Sequence, residues 1–332
     1  MKPGEFDPTL LSVLVCPRSK EPLTLKGNKL TSACGNEYPI VDGIPILLLS
    51  DVPTTGSGGA ELTFKQVQGK EPLLDYSLRT PDPQGSLTVD PLVQEFVAAA
   101  GGNLYKRVRD RLVDYPIPEF PLEGREKQLL IDLGCHWGRW SLAAARKGFF
   151  VVGVDPSLEA VRAARRIAKQ LDISAHFVVG DGRYLPFKDT VADVVFSFSV
   201  LQHFSRPDVK RALESIQRIL KPNGLSLVQM PNCWSVLGLY HLIRRGFRDG
   251  RGFEVRYWSP SELKTVFDAS IGKTDLYVDS FLSLNAQVSD LRLLPWFERV
   301  VVRASGLMVD LSNSIPRLQS LADSLYVKSQ KT

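Results

Sequence analysis

The sequence predicts a doubly wound α/β fold, and residues 128–157 carry the two observations behind that prediction. The first is a pair of apolar runs, at 129–133 and ending on Asp155, each typical of a buried strand. The second is the stretch between them, which opens with a glycine-containing loop and continues with helical character to Arg146. Strand, loop, helix and strand form one β-α-β unit, and repeated units build an open sheet with helices on both faces.

The loop of this unit predicts a binding site for a nucleoside. Gly134 and Gly138 let a ligand approach the backbone closely, and the first turn of the following helix presents unpaired N–H groups. Asp155, at the carboxyl end of the second strand, can accept hydrogen bonds from two ribose hydroxyl groups. The dinucleotide pattern G-x-G-x-x-G is excluded, because His136 and Arg139 occupy its second and third glycine positions.

Residues 132–138, DLGCHWG, resemble the acidic glycine-rich motif D-x-G-x-G-x-G of class I S-adenosylmethionine-dependent methyltransferases of the type-11 kind. His136 stands where the family has its middle glycine, and we expect an uncommon backbone conformation with positive φ there. The resemblance continues into strands at 176–179, 192–197 and 225–230. It implies a seven-stranded Rossmann-like methyltransferase sheet whose last strand returns antiparallel between the fifth and sixth strands.

The resemblance also implies a cofactor, S-adenosyl-L-methionine, with residues 132–138 at its methionine end, Asp155 at the ribose and Asp181 near the adenine. The residues expected to bind this cofactor are Asp132, Gly134, Cys135, His136, Gly138, Asp155, Pro156, Asp181, Gly182 and Ser199. His203 is the candidate general base, because it follows the fourth strand, whose end faces the transferred methyl group, and a neutral imidazole suits pH 7. No metal is expected in this site.

Residues 1–50 are predicted to form a small α+β unit. Cys16, Cys34 and the run at 38–48 resemble the zinc-ribbon-like family of methyltransferase activators. Ser19 replaces the second cysteine of that family's C-x-x-C, and two thiols without a histidine are too few for a tetrahedral zinc site. We therefore expect the ribbon-like fold without metal, with both cysteines as small buried apolar residues.

Residues 51–88 are rich in proline, threonine, glycine and serine, which indicates a linker or an irregular strap. Residues 89–332 form the predicted methyltransferase domain, with an insertion at 231–258 and a helical insertion at 287–312. The first insertion joins an apolar helical stretch to several arginines. Three interpretations of it stay open: a lid over the acceptor, a peripheral membrane contact through 234–251, and an ordinary surface helix.

The last third of the chain predicts two more strands, at 275–284 and 323–328, the second being the antiparallel return strand. A capping box at 259–262, with proline in the first helical position, begins a helix before them. The aliphatic helices between the strands could bound an apolar acceptor pocket or form a dimer contact. The sequence leaves the oligomeric state and the acceptor open.

Composition sets the broad class of the protein. With 332 residues and 44% hydrophobic content, the chain can form an ordinary domain plus a smaller one. Its 41 basic and 36 acidic residues leave a net charge of +5, which does not by itself indicate nucleic acid. The four cysteines are widely spaced, and the N-terminal residues lack the features of a signal peptide. We therefore expect a soluble, cytoplasmic protein.

Three functions are compatible with these features. The first is methyl transfer to a small molecule, lipid or sugar. The second is methyl transfer to RNA, because ribbon-like modules accompany some RNA methyltransferases, although the missing zinc ligands and weak net charge count against it. The third is a non-catalytic binding or scaffold protein, suggested by His136 in the glycine loop.

Overall fold

The computed structural model describes residues 5–56, 58–74, 89–282, 285 and 287–332. The strands in this part of the chain are β1 (Leu23–Lys26), β2 (Lys29–Ser32), β3 (Glu37–Val41), β4 (Ile44–Leu47), β5 (Leu129–Leu133), β6 (Phe150–Asp155), β7 (His176–Gly180), β8 (Ala192–Ser197), β9 (Leu220–Pro231), β10 (Gly272–Ser280) and β11 (Ser324–Lys331). The α-helices are α1 (Gly59–Val67), α2 (Pro91–Gly101), α3 (Arg139–Arg146), α4 (Leu158–Gln170), α5 (Arg206–Ile219), α6 (Val236–Arg244), α7 (Pro260–Ser270), α8 (Trp296–Ser314) and α9 (Pro316–Gln319).

Seven of these strands form the central sheet, in the order β7-β6-β5-β8-β9-β11-β10. Strand β5 pairs in parallel with β6 and β8, whereas β11 is antiparallel to both β9 and β10. The doubly wound sheet and its antiparallel return strand are therefore confirmed. Of the strand predicted at 275–284, positions 283 and 284 lie outside the described residues.

The sequence explains why the sheet sits in the middle of the core. All five residues of β5 are buried, as expected for a parallel strand covered by helices on both faces. Helix α4 begins where the Ser157 side chain accepts a hydrogen bond from the Ala160 N–H, and its buried positions include Leu158, Val161 and Ile167. The capping box predicted at 259–262 is also present, at the start of α7.

The N-terminal strands extend the central sheet. Strands β1 to β4 pair antiparallel in sequence order, and β4 then pairs in parallel with β7 through Ile46 with Val179 and Leu47 with Gly180. The result is one continuous sheet across the eleven described strands. This pairing covers the edge of β7, whose backbone groups would otherwise be open to another chain.

Cys34 corrects the prediction that both cysteines of the N-terminal unit are buried apolar residues. Cys16 is buried, but Cys34 is exposed in the turn between β2 and β3. The Cys34 Sγ lies 2.9 Å from Asn36 Nδ2 and 3.3 Å from Ser19 Oγ, so polar side chains surround it. Burial raises the pKa of the Cys16 thiol, but hydrogen bonds involving Ser19 and Tyr38 bring that pKa down to about 7. Among the residues that the structure describes, no three His, Cys, Asp or Glu side chains cluster as a metal site would require.

The predicted linker at 51–88 contains helix α1, which its composition did not indicate, while its residues 75–88 lie outside the described part of the chain. Thr63 of α1 donates to the Pro156 carbonyl over 2.8 Å and accepts from the Leu158 N–H over 2.9 Å. The buried face of this helix is thus partly polar, so the sequence does not show the apolar periodicity that predicts a helix. No helix within the described ranges is long and apolar enough to cross a membrane.

We expect Ile44→Ala to lower the free energy of unfolding by about 2–5 kcal/mol, because Ile44 is buried in a core shared with Val161 and Val179. Denaturant unfolding followed by fluorescence and circular dichroism should show a single transition that moves as a whole. Leu25→Ala, at a 42% exposed position of β1, is the control and should have little effect. A separate early transition in the Ile44 variant would contradict the shared core.

Candidate functional site

A cavity of 440 Å³ opens at the carboxyl ends of the central parallel strands. Its walls come from the loop after β5, the ends of β6 and β7, the segment after β8 and helix α2. The described residues between 51 and 74, which we call the strap, form a further part of the wall. The predicted site residues that line it are Gly134, Cys135, His136, Asp155, Pro156, Asp181, Gly182, Ser199 and His203. Asp132 and Gly138 are absent from this lining and have other positions.

The loop after β5 folds back on β6 and makes one wall of the cavity. The N–H groups of Gly134 and Cys135 both donate to the Val154 carbonyl, over 2.7 and 3.1 Å. Gly134 has φ of +77°, and a Cβ built there would lie 2.2 Å from Val200 Cγ2, so only glycine fits. His136 has φ of +48°, which confirms the positive φ predicted for this position.

Asp155 is held at the centre of the cavity wall by the backbone. Its Oδ2 accepts from the His136 N–H over 3.0 Å, and its Oδ1 accepts from the Ser157 N–H over 2.9 Å. Burial raises the pKa of this carboxyl group, and the neighbouring His136 and the two N–H groups act against that rise. Because each carboxylate oxygen can accept more than one hydrogen bond, a pair of ligand hydroxyls can still be bound.

Asp132 and Gly138 shape the loop from behind the cavity. Asp132 is buried beneath it, and its Oδ2 accepts from the Ser141 hydroxyl of α3 over 2.5 Å. Burial raises the pKa of Asp132 to about 7. Gly138, with φ of +82°, is the N-cap of α3, and a Cβ there would lie 3.1 Å from the Ala164 Cβ. These residues therefore hold α3 against the sheet and against α4.

Asp181 lines the cavity but is already engaged by a neighbour. Arg183 donates to it through Nε over 3.0 Å and through Nη2 over 2.6 Å. The next residue, Gly182, packs closely on Leu133 in the cavity wall, since a Cβ there would lie 2.8 Å from Leu133 Cδ1. A carboxylate at Asp155 and a glycine edge at Gly182 fit a nucleoside better than a purely apolar ligand.

His203 lies in the cavity wall with its tautomer set by the backbone. Its Nδ1 lies 2.7 Å from the Phe253 carbonyl oxygen, which can only accept, so Nδ1 carries the proton. The other ring nitrogen, Nε2, is then an acceptor and lies 3.2 Å from the Gln202 amide nitrogen. Burial lowers the pKa of His203 to about 4, against the opposing effect of the Phe253 hydrogen bond, and the ring stacks on Phe253 at 3.8 Å.

Arg139 is a cavity residue that sequence reasoning missed. It follows the glycine loop directly, is 2% exposed, and bonds through Nη2 to Asp290 and, over 3.1 Å, to the Tyr105 hydroxyl. Its Nε and Nη1 have no hydrogen-bond partner among the described residues. Asp290 comes from the helical insertion, so this buried ion pair ties that insertion to the loop. The sequence signal that could have identified Arg139 is its position as a charged residue in the first helical turn after the glycine loop.

Glu159 is a second missed residue, at the start of α4. Its Oε1 accepts from the Gln66 amide over 2.6 Å and from the Leu74 N–H over 2.8 Å. The strap that contains α1 is thereby fixed over the cavity, and Leu62 and Leu74 of this strap line it. The segment predicted as a linker thus contributes part of the wall.

Comparison with known proteins gives matches for two parts of the chain. Residues 130–224 match a family described as a methyltransferase domain. The UPF0434 protein of Vesicomyosocius okutanii is 49% identical over 54 residues, which are 92% of that protein and 16% of this chain. The ubiquinone biosynthesis O-methyltransferase of Bartonella quintana is 27% identical over 156 residues, which are 46% of this chain. The chain spans 61% of the length of that relative.

One solved structure with a similar fold is a SAM-dependent methyltransferase from Methanosarcina mazei. It is 19% identical to this chain. The match covers 63% of this chain and 94% of that protein, with a TM-score of 0.46.

We expect Arg139→Met to lower the free energy of unfolding by about 3–5 kcal/mol, because it leaves the Asp290 carboxylate buried without its partner. The double variant Arg139→Met/Asp290→Leu should recover most of that loss in denaturant unfolding, since both charges are then removed. Arg107→Met is the matched control, because Arg107 pairs with Glu298 from a 69% exposed position. Equal losses in the single and double variants would rule out the ion pair as the cause.

Proposed function

Because the N-terminal part of this chain belongs to the UPF0434 family and residues 130–224 match a methyltransferase domain, we propose that the protein is an S-adenosylmethionine-dependent methyltransferase. The single observation that supports this most is Asp155, which faces the cavity beside the Gly134 loop. The acceptor in this proposal is a small, largely apolar molecule with a hydroxyl group. The domain boundaries 1–50, 51–88 and 89–332 and a cytoplasmic location are parts of the same proposal.

The chain's own residues would hold S-adenosylmethionine as follows. Gly134 to His136 would lie beside the methionine portion, Asp155 would accept from the ribose hydroxyls, and Gly182 would lie beside the adenine. Asp181 would share its carboxylate between Arg183 and the adenine amino group. The bound cofactor supplies an electrophilic methyl group on a sulfonium sulfur. Arg139, which lines the cavity, is a further candidate to bind its carboxylate, for which the buried Nε and Nη1 would have to turn toward the cavity.

The remaining walls of the cavity indicate which kind of acceptor it would bind. The apolar side chains in these walls are Phe96, Trp140, Phe198, Val200, Phe204 and Phe253. Aromatic walls favour a flat, apolar acceptor over a sugar. The name of the Bartonella relative, a ubiquinone biosynthesis O-methyltransferase, supports oxygen as the methylated atom.

His203 would accept the proton of the acceptor hydroxyl. Its Nδ1 is held by the Phe253 carbonyl, so Nε2 would take up this proton, in place of the hydrogen bond from the Gln202 amide, while the hydroxyl oxygen gains the methyl group. With a pKa of about 4, the imidazole is neutral at pH 7 but is a weak base. A weak base works best on an acidic hydroxyl, which favours a phenol, whose pKa is about 10, over an aliphatic alcohol.

We expect Asp155→Ala to weaken S-adenosylmethionine binding by about 1–3 kcal/mol, because the ribose hydroxyls lose their acceptor. Calorimetric titration with S-adenosylmethionine and S-adenosylhomocysteine measures this loss directly. Asp189→Ala is the control, since Asp189 is exposed, pairs with Arg218 and does not line the cavity. Unchanged affinity in the Asp155 variant would remove the ribose assignment, and no binding by the unaltered protein would favour the scaffold alternative.

We expect His203→Gln to reduce kcat toward a 4-alkylcatechol by about 10²- to 10⁴-fold while the cofactor affinity stays the same, because glutamine cannot take up the proton. In the unaltered protein, kcat/KM should fall as the pH drops through about 4, since a protonated Nε2 cannot accept. The rate of methyl transfer, measured from about pH 3 to pH 8, tests both points. A variant with the unaltered rate would exclude His203 as the base.

A further inference from the structure

The insertion between β9 and α7 carries an exposed apolar surface. We name it the insertion surface and define it by the exposed side chains of Trp234, Val236, Leu237, Leu239, Tyr240, Ile243, Phe247 and Phe253. Their exposed fractions run from 37% at Leu237 to 78% at Val236. Eight large apolar side chains are thus exposed within one segment of twenty residues, a density of exposed apolar surface that soluble monomers seldom leave uncovered.

Helix α6 does not pack as an ordinary surface helix. Its first turn is anchored, because the Ser235 hydroxyl accepts from the Gly238 N–H over 2.9 Å, and a Cβ at Gly238 would lie 2.3 Å from the Asn232 carbonyl oxygen. Gly238 is the helix's buried residue in the described structure. A surface helix normally buries an apolar stripe and exposes polar residues, whereas α6 exposes Val236, Tyr240 and Ile243.

The charges beside this patch are mostly positive. Residues 234–253 contain four arginines and one aspartate. Arg248 pairs with Glu254 over 2.7 Å, but Arg244 and Arg251 have no acidic partner among the residues that the structure describes. Arg244 lies beside Tyr240, with its guanidinium carbon 5.6 Å from the ring centroid. Aromatic side chains flanked by free arginines match the headgroup region of an anionic bilayer in both polarity and charge.

The insertion surface borders the mouth of the cavity. Phe253 is 54% exposed, yet it also lines the cavity and stacks on the His203 ring. The chain around Gly252 lies next to Gly56 of the strap, since a Cβ at Gly56 would be 3.5 Å from the Gly252 carbonyl carbon. A membrane touching this surface would therefore lie next to the opening through which an acceptor enters.

We propose that the insertion surface docks on an anionic phospholipid bilayer and presents the cavity mouth to the lipid, from which an apolar acceptor enters. The docking rests on the insertion surface alone, and the delivery of an acceptor rests on the proposed function. Arg244 and Arg251 favour a bilayer over a second copy of the chain as the partner. The insertion surface of a second copy would carry the same positive charge, and the two surfaces would repel each other.

Vesicle flotation of the full chain tests the docking. We expect binding to vesicles of phosphatidylcholine with phosphatidylglycerol to be on the order of 10- to 100-fold tighter than to phosphatidylcholine alone, and to weaken with salt. Val236→Asp/Ile243→Asp should abolish binding, and Arg244→Glu/Arg251→Glu should remove the preference for anionic lipid. Brominated lipids should quench Trp234 in a Trp296→Phe background, because Trp296 is also exposed.

The matched control is Val300→Asp/Leu307→Asp on α8, where both side chains are exposed on another helix. This variant should bind vesicles as the unaltered chain does, and calorimetric titration with S-adenosylhomocysteine should give the same result for all variants. No vesicle binding, equal binding to both vesicle types, or a dimer that the Val236/Ile243 variant dissociates would overturn the docking. Vesicle binding without cofactor binding would instead leave the docking intact and sink the proposed function.

Discussion

The two hydrogen bonds that bring the loop after β5 back onto Val154 are the constraint on which the rest of the site depends. They require a positive φ at Gly134 and a position so close to Val200 that no side chain fits. With the loop folded in this way, the His136 N–H points at Asp155 and α3 begins directly after Gly138. The cavity wall, the buried carboxylate and the helix that follows are therefore consequences of one local backbone geometry.

Buried charged side chains connect the helical insertion and the strap to the helices that cover the central sheet. Asp290 of the helical insertion reaches Arg139 of α3, and Glu159 of α4 holds the strap through Gln66 and Leu74. Each pair connects segments far apart in the chain, and each contains a group that would be costly to bury alone. The peripheral segments are thus held in register with the cavity by polar contacts as well as by apolar packing.

Local signals made much of the sheet and the loop predictable. Apolar runs marked the strands, the glycines of the loop marked its turn, and the positive φ of His136 followed from its place in the motif. Contacts between distant segments left no such signal. The pairing of Ile46 with Val179 and the ion pair of Arg139 with Asp290 join residues more than a hundred positions apart. Helix α1 and the exposure of Cys34 were missed because polar side chains provide their surroundings.

Strand β4 leaves the ribosome long before its partner β7, since 128 residues separate Leu47 from His176. During that interval one edge of β4 faces solvent, where it could pair with another nascent chain. Pro45 in β4 has no N–H to donate, which shortens the open edge to the residues that later meet Val179 and Gly180. The proline in this short strand therefore leaves fewer backbone donors to which another nascent chain could pair, and it also ends the ladder in the finished sheet.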